Sequence, residues 1–302
     1  LAVLGIVVAF GFAMYDYTIL DQQSLEVDIN EDRALLDARS GVQEAIAQLQ
    51  DAIAAGNTDT LLGKDIAVAV SIYRLDGKQP DAAPSVDEHY NSEVTVKISD
   101  ECAKMNVNLA PPAVLMSMLK IDGEAARQVR ERLPRLDGSA GPADGRRRWL
   151  ASLDDLAGLK VLPAEALTPE RAADLTVFSA LDLTAPAGYV NLNTASKAVL
   201  EAALGVTPDV ADKVMLARPL TSAEALFAAA GKDANGFNFK PAPDNPGGLP
   251  KELAFTSRCF RVTSAARLTK SSSGKSATAT VEAVVQFPEN APPQIVYWSG
   301  AS

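Results

Sequence analysis

The sequence predicts an α+β chain: one long N-terminal helix on a small antiparallel sheet, with a large all-α domain inserted between the strands. Three observations predict it. A helical pattern without proline runs from Leu1 to Ala55. Runs of alternating apolar and polar residues lie near 66–98 and again near 259–287. Between them a segment occurs twice: Asn106–Leu133 (NVNLAPPAVLMSMLKIDGEAARQVRERL) and Asn191–Arg218 (NLNTASKAVLEAALGVTPDVADKVMLAR) align without a gap. A repeated sequence signals a repeated piece of architecture. The expected divisions are 1–56 for the helix, 57–105 with 251–302 for the sheet, and 106–250 for the insertion, with repeats at 106–133 and 191–218.

The helix has two halves. Leu1–Met14 carries no charged residue, and Asp16 is the first charge. The run is short of the roughly 20 apolar residues a bilayer span needs. It reads either as a signal-peptide core or as part of a membrane helix whose first residues are missing; a first residue other than Met implies processing or truncation. Uninterrupted continuation favours a helical spine, with Ile6, Val8, Phe10 and Phe12 as membrane or assembly contacts. In the second half Leu35, Val42, Ile46, Leu49 and Ile53 recur on one face, a stripe suited to packing on the sheet. Gly56-Asn57 stops the helix.

Period-two alternation gives strands at Ile66–Ile72, Val94–Ile98, Phe260–Leu268 and Ala277–Phe287, the last two joined through the polar turn Lys270–Lys275. The insertion breaks into short helices: Ala113–Met118, Glu124–Leu133, Ser152–Gly158, Pro169–Leu175, Lys197–Leu204, Asp209–Ala217 and Ser222–Ala229. Thr168-Pro and Thr207-Pro have the form of an N-cap followed by proline. Cys102 and Cys259, the two cysteines, flank the insertion. If their strands are neighbours a disulfide would clamp its stem; the alternative is two buried thiols.

The 302 residues carry a net charge of −10. Such a balance repels nucleic acid and anionic membrane surfaces unless the cations cluster. The one basic cluster with an aromatic, Arg146–Trp149, reads as a solvated helix start. Each repeat resembles a helix-hairpin-helix, a module whose glycine amides can hold DNA phosphates. Here Gly205-Val-Thr-Pro lacks the second glycine and Lys120-Ile-Asp-Gly lacks the first, so half of each amide nest is missing. Catalysis has little to stand on. His89 is the single histidine, and no nucleophile elbow, phosphate loop or His/Cys metal spacing occurs. The expectation is a chain that is not an enzyme. Asp233, Asn235, Asp244 and Asn245 supply loop oxygens of a kind that suits calcium, without the spacing of an EF-hand and in a composition common to plain turns.

Together, EDRALLDARSGVQEAIAQL at Glu31–Leu49, SDECAKMNVNLA at Ser99–Ala110, YVNLNTASKAVLEAAL at Tyr189–Leu204 and CFRVTSAARL at Cys259–Leu268 resemble the K-type minor pseudopilins of bacterial type II secretion systems. The resemblance covers essentially the whole chain. It implies a pseudopilin fold and a single-pass anchor in the inner membrane with the bulk of the chain periplasmic. It also implies a place at the pseudopilus tip beside the I-type and J-type minor pseudopilins, the major pseudopilin and the inner-membrane secretion platform. The bulky insertion would stop further subunits adding. Some relatives bind calcium in the helical domain. K-type members lack the glutamate that major pseudopilins carry at mature position five; Gly5 stands at position 5 here, in a chain expected to start a few residues inside the mature protein. The alternative reading is a minor pilin of a type IV pilus or DNA-uptake machine, with the repeats as a binding module.

Overall fold

The computed structural model describes residues 2–68, 90–133, 149–179, 190–231, 237, 252–270, 276–289 and 291–301. It divides into two compact units. The first comprises 1–98, 262–283 and 297–302; the second comprises 99–261 and 284–296.

In the first unit α1 runs from Ala2 to Ala55. It ends where the sequence places the stop: Gly56 takes φ +68° and the Asn57 amide donates to the Ala52 carbonyl at 2.9 Å, a left-handed closure that glycine makes without strain. The buried face is Ala34, Ala38, Gly41, Val42, Ala45, Ile46, Leu49 and Ala52. Val42, Ile46 and Leu49 of the expected stripe are in it, whereas Leu35 and Ile53 sit half-buried at its flanks. The shift has a physical cause, because the face is built on small residues. A Cβ on Gly41 would come within 2.7 Å of Val94 Cγ1 and 3.2 Å of Val96 Cγ2 and would strike the Ser264 hydroxyl. The helix backbone therefore lies close to the sheet at Gly41, and Ala34, Ala38, Ala45 and Ala52 share the seam with Val42, Ile46 and Leu49.

The sheet consists of β1 (Asp65–Val68), β2 (Tyr90–Asp100), β7 (Cys259–Lys270), β8 (Ser276–Gln286) and β9 (Gln294–Ala301), side by side in that order. β1 pairs antiparallel with β2, Ile66 opposite Val96. The link between β7 and β8 is too short for a parallel crossover, so that pair is a hairpin. The sequence expectation stops short of β9, an edge strand whose residues alternate no buried face. Val70, Ile72, His89, Arg146–Arg148 and the turn 271–275 lie outside the described residues.

The second unit is mainly helical. Between β3 (Met105–Asn106) and the rest come α2 (Pro112–Leu119), α3 (Gly123–Arg132), α4 (Leu153–Ala157), α5 (Pro169–Ala173) and β4 (Leu175–Thr176). Then follow β5 (Val190–Asn191), α6 (Lys197–Leu204), α7 (Pro208–Leu216), α8 (Ala223–Ala230) and β6 (Leu253–Ala254). Thr168 caps α5 as its sequence signal predicts, and Ser152, Ser196 and Ser222 cap α4, α6 and α8; each of the four hydroxyls accepts an amide in the first turn. Thr207 makes no such side-chain bond. Leu115, Leu119, Ala126 and Val129 of the first repeat, and Leu200, Leu204, Ala211 and Val214 of the second, share one core.

Candidate functional site

Two features are candidates for function: the free stretch of α1, and the polar loops that open each repeat.

On α1 the buried face begins at Ala34. Before it stand large apolar side chains in the open: Tyr17 is 72%, Leu20 64% and Leu25 60% exposed, with Met14, Tyr15, Val27 and Ile29 also exposed. Soluble surfaces seldom show so much contiguous apolar area without a partner. Ile6, Val8, Phe10 and Phe12 belong to the same helix, but their side chains lie outside the described residues. No helix among the described residues is long and apolar enough to cross a membrane. The apolar run Leu1–Ala13, on which the expected membrane helix rests, has its side chains outside the described residues.

The repeats show what the Asn-x-Asn motif does. β3 pairs in parallel with β4, Asn106 opposite Thr176; β5 pairs in parallel with β6, Asn191 opposite Ala254. The first asparagine of each motif folds the turn: Asn106 Oδ1 accepts from the Asn108 amide at 3.0 Å, and Asn191 Oδ1 from the Asn193 amide at 2.9 Å. The second is a bracket. Asn108 accepts from Leu150 N at 2.8 Å and donates to Leu150 O at 3.1 Å and Val177 O at 3.4 Å. Asn193 accepts from Leu220 N at 2.7 Å and donates to Leu220 O and Phe255 O, both at 2.9 Å. An amide offers one acceptor and two donors, and each asparagine uses all three on backbone. An arginine closes each loop: Arg130 donates to Asn108 O at 2.7 Å, and Arg218 to Leu192 O at 2.8 Å and Ala195 O at 2.6 Å. The hairpins also correspond. Gly205 turns at φ +64°, and Lys120 holds the same left-handed turn at φ +54° without being glycine.

Two acids that sequence reasoning quoted only as part of a motif lie at the root of this unit. Asp100 accepts bonds from Cys102 N at 2.7 Å, from Asn191 Nδ2 at 3.3 Å, and from the hydroxyls of Thr194 and Ser257. Burial still holds its carboxyl above the ordinary carboxylate range, against those four bonds. Glu101 is fully buried. It accepts from Arg261 Nε at 2.6 Å, Lys104 Nζ at 2.7 Å and the Thr176 hydroxyl. Burial pushes its carboxyl up, but the bond to Arg261 and the charges of Lys104 and Arg261 outweigh that and bring it below its ordinary value. Their long-range partners could not be paired from sequence alone.

Cys102 and Cys259 are both fully buried and are separate thiols, so the expected disulfide is not formed here. The Cys259 sulfur is turned onto the Phe178 carbonyl at 3.6 Å instead. Burial raises both thiols well above their ordinary value. A cavity of about 600 Å³ lies against α2 and α6. It is lined by apolar residues such as Val114, Val206 and Leu253, and by Ser117, Glu201 and Glu252. Among the described residues no cluster of three His, Cys, Asp or Glu could hold a metal ion; the loop residues Asp233, Asn235, Asp244 and Asn245 lie outside the described residues.

No model of a known protein family matches the chain, and no curated protein does. Among solved structures, a chain of the GspK-GspI-GspJ complex from the type 2 secretion system of enterotoxigenic Escherichia coli is similar to it at 11% identity and a TM-score of 0.45, over 96% of this chain and 99% of that one.

Proposed function

We propose that this chain is a structural minor pseudopilin of the K type, without an active site, that joins the tip of a type II secretion pseudopilus through its N-terminal helix. The observation that carries the reading is the stretch of α1 before Ala34. It is a helix with Tyr17, Leu20, Leu25 and Ile29 in the open, continuous with a segment docked on its own sheet. Such a surface is stable in water only when another apolar surface covers it. The partners are the helices of the I-type and J-type minor pseudopilins and of the major pseudopilin, at the periplasmic side of the inner membrane. The helical repeats act as bulk that limits further addition. Their asparagines support this reading, since Asn108 and Asn193 spend their polar groups on backbone rather than on a ligand.

Changing Leu20, Leu25 and Ile29 together to serine tests the proposal. The expected result is loss of the chain from purified pseudopili and loss of co-purification with the I-type and J-type subunits. The thermal transition of the isolated protein should stay unchanged, because these residues are exposed. Incorporation at the wild-type level would sink the proposal. Tight, salt-sensitive DNA binding by the wild-type chain would favour the type IV or DNA-uptake reading instead.

A further inference from the structure

The two repeats differ at one donor. Asn106 and Asn191 hold the same place in their copies, and each folds its turn through Oδ1. Their Nδ2 groups are used differently. Asn191 Nδ2 donates to Ser257 Oγ at 2.7 Å and to Asp100 Oδ2 at 3.3 Å. Asn106 is only 2% exposed, and its Nδ2 has no hydrogen-bond partner among the described residues. A buried amide donor left unpaired is costly, and the second copy shows that a donor in this position takes oxygen acceptors. Asn106 is also one of the residues lining the cavity of about 600 Å³, all of whose lining belongs to the second unit. That volume lies within the range of sites that hold organic ligands.

The rest of the lining narrows the chemistry. Val114 of α2, Val206 after α6 and Leu253 of β6 are apolar, Glu201 and Glu252 are acids, and none of the described lining residues is Lys, Arg or His. A carboxylate or phosphate ligand would meet two acids and no cation there. The lining suits a ligand with an apolar body, a positive charge and a neutral oxygen for the Asn106 donor. A stretch of peptide supplies all three: side chains for the apolar wall, a lysine or arginine, and backbone carbonyls.

We propose that this cavity binds a short peptide segment in which apolar residues adjoin a lysine or arginine. A backbone carbonyl of the segment accepts from Asn106 Nδ2. Its apolar side chains are covered by Val114, Val206 and Leu253, and its cation is drawn by Glu201 and Glu252. The site uses no residue of α1, so it stands or falls separately from the assembly role of that helix.

The full chain, isotope-labelled for nitrogen NMR, is titrated with N-acetyl-leucyl-valyl-lysine amide while the asparagine side-chain amide resonances are followed. The Asn106 pair is the one missing from Asn106→Asp, in which the acid keeps the acceptor that folds the turn and loses the donor. The expected result is a saturable shift of the Asn106 pair, with the Asn191 pair unmoved because its donors are already taken. The same peptide with glutamate in place of lysine should bind about tenfold more weakly, the yield of two part-solvated charge contacts. The Glu201→Gln, Glu252→Gln double variant should narrow that ratio, and Val206→Trp, which fills the cavity, should abolish the shift at unchanged helix content. The ratio between the two peptides is read on wild-type protein, so it decides even if a variant fails to fold. No saturable shift at millimolar peptide would overturn the proposal. So would equal binding of the lysine and glutamate peptides, or an equal shift with hexanol, which would mark a cavity that takes any apolar molecule.

Discussion

Changing Glu101 to glutamine is expected to lower stability by about 3 kcal/mol. That is the low end of the roughly 3–5 kcal/mol that follows removal of one partner from a buried ion pair, because the Arg261 and Lys104 side chains keep 24% and 23% of their surface in water. Glutamine cannot neutralise the two cations, and it accepts fewer bonds than the carboxylate that now takes donors from Arg261, Lys104 and Thr176. The pH dependence gives a second readout. The folded carboxyl of Glu101 is below its ordinary value, so its contribution is present above the ordinary carboxylate pKa and is lost as pH falls through the folded one. Asp100 has the opposite sign. Its folded carboxyl is raised, so its contribution is present at low pH and is lost as pH rises through the folded pKa. Chemical denaturation from about pH 7 to about pH 3 should show wild type losing stability at the acid end and the Glu101→Gln variant losing markedly less. Identical slopes for the two proteins would show that the Glu101 cluster is not the acid-sensitive element.

The second large effect is at Gly41. In an exposed helix, glycine to alanine gains about 1 kcal/mol. Here the expected sign is reversed: Gly41→Ala should cost about 1–3 kcal/mol, the range for overpacking a filled core. Gly41→Val should cost more. The reason is the 2.7 Å approach of the new Cβ to Val94 and its clash with the Ser264 hydroxyl. That hydroxyl is buried and makes no hydrogen bond among the described residues, so Ser264→Gly removes the nearest obstacle at little polar cost. The double variant Gly41→Ala, Ser264→Gly should be more stable than the sum of the single effects implies, a coupling that a double-mutant cycle reads directly. A stabilising Gly41→Ala would mean that α1 does not lie against the sheet at this distance.

These residues also show where sequence reading succeeds and where it fails. The α1 stripe is legible because one face recurs over many turns, and α6 falls at Lys197–Leu204 as expected because Ser196 caps it and Gly205 ends it. Gly41 passes in the sequence for an incidental helix glycine; its importance lies in residues of β2 and β7 that come close only in the fold. The two-residue ladders β3–β4 and β5–β6 have no periodicity to detect. β9 hides for another reason: at the sheet edge it buries neither face, so no alternation marks it. The duplicated asparagines announce a repeated structure, but their brackets to Leu150, Val177, Leu220 and Phe255 join segments far apart in sequence. The same holds for Asp100 and Glu101. Their carboxylates are visible as charges at a strand end, and their partners are supplied by the tertiary structure.

The central claim is that the open stretch of α1 is covered by other pseudopilin helices. A photo-crosslinking amino acid placed at Leu25, exposed and before the docked face, measures this in cells that carry the whole secretion system. Cross-links to the N-terminal helices of the I-type, J-type or major pseudopilin are expected, lost when Leu20 and Ile29 are serine. Cross-links from Leu25 only to lipid, to secreted proteins or to nothing would contradict it.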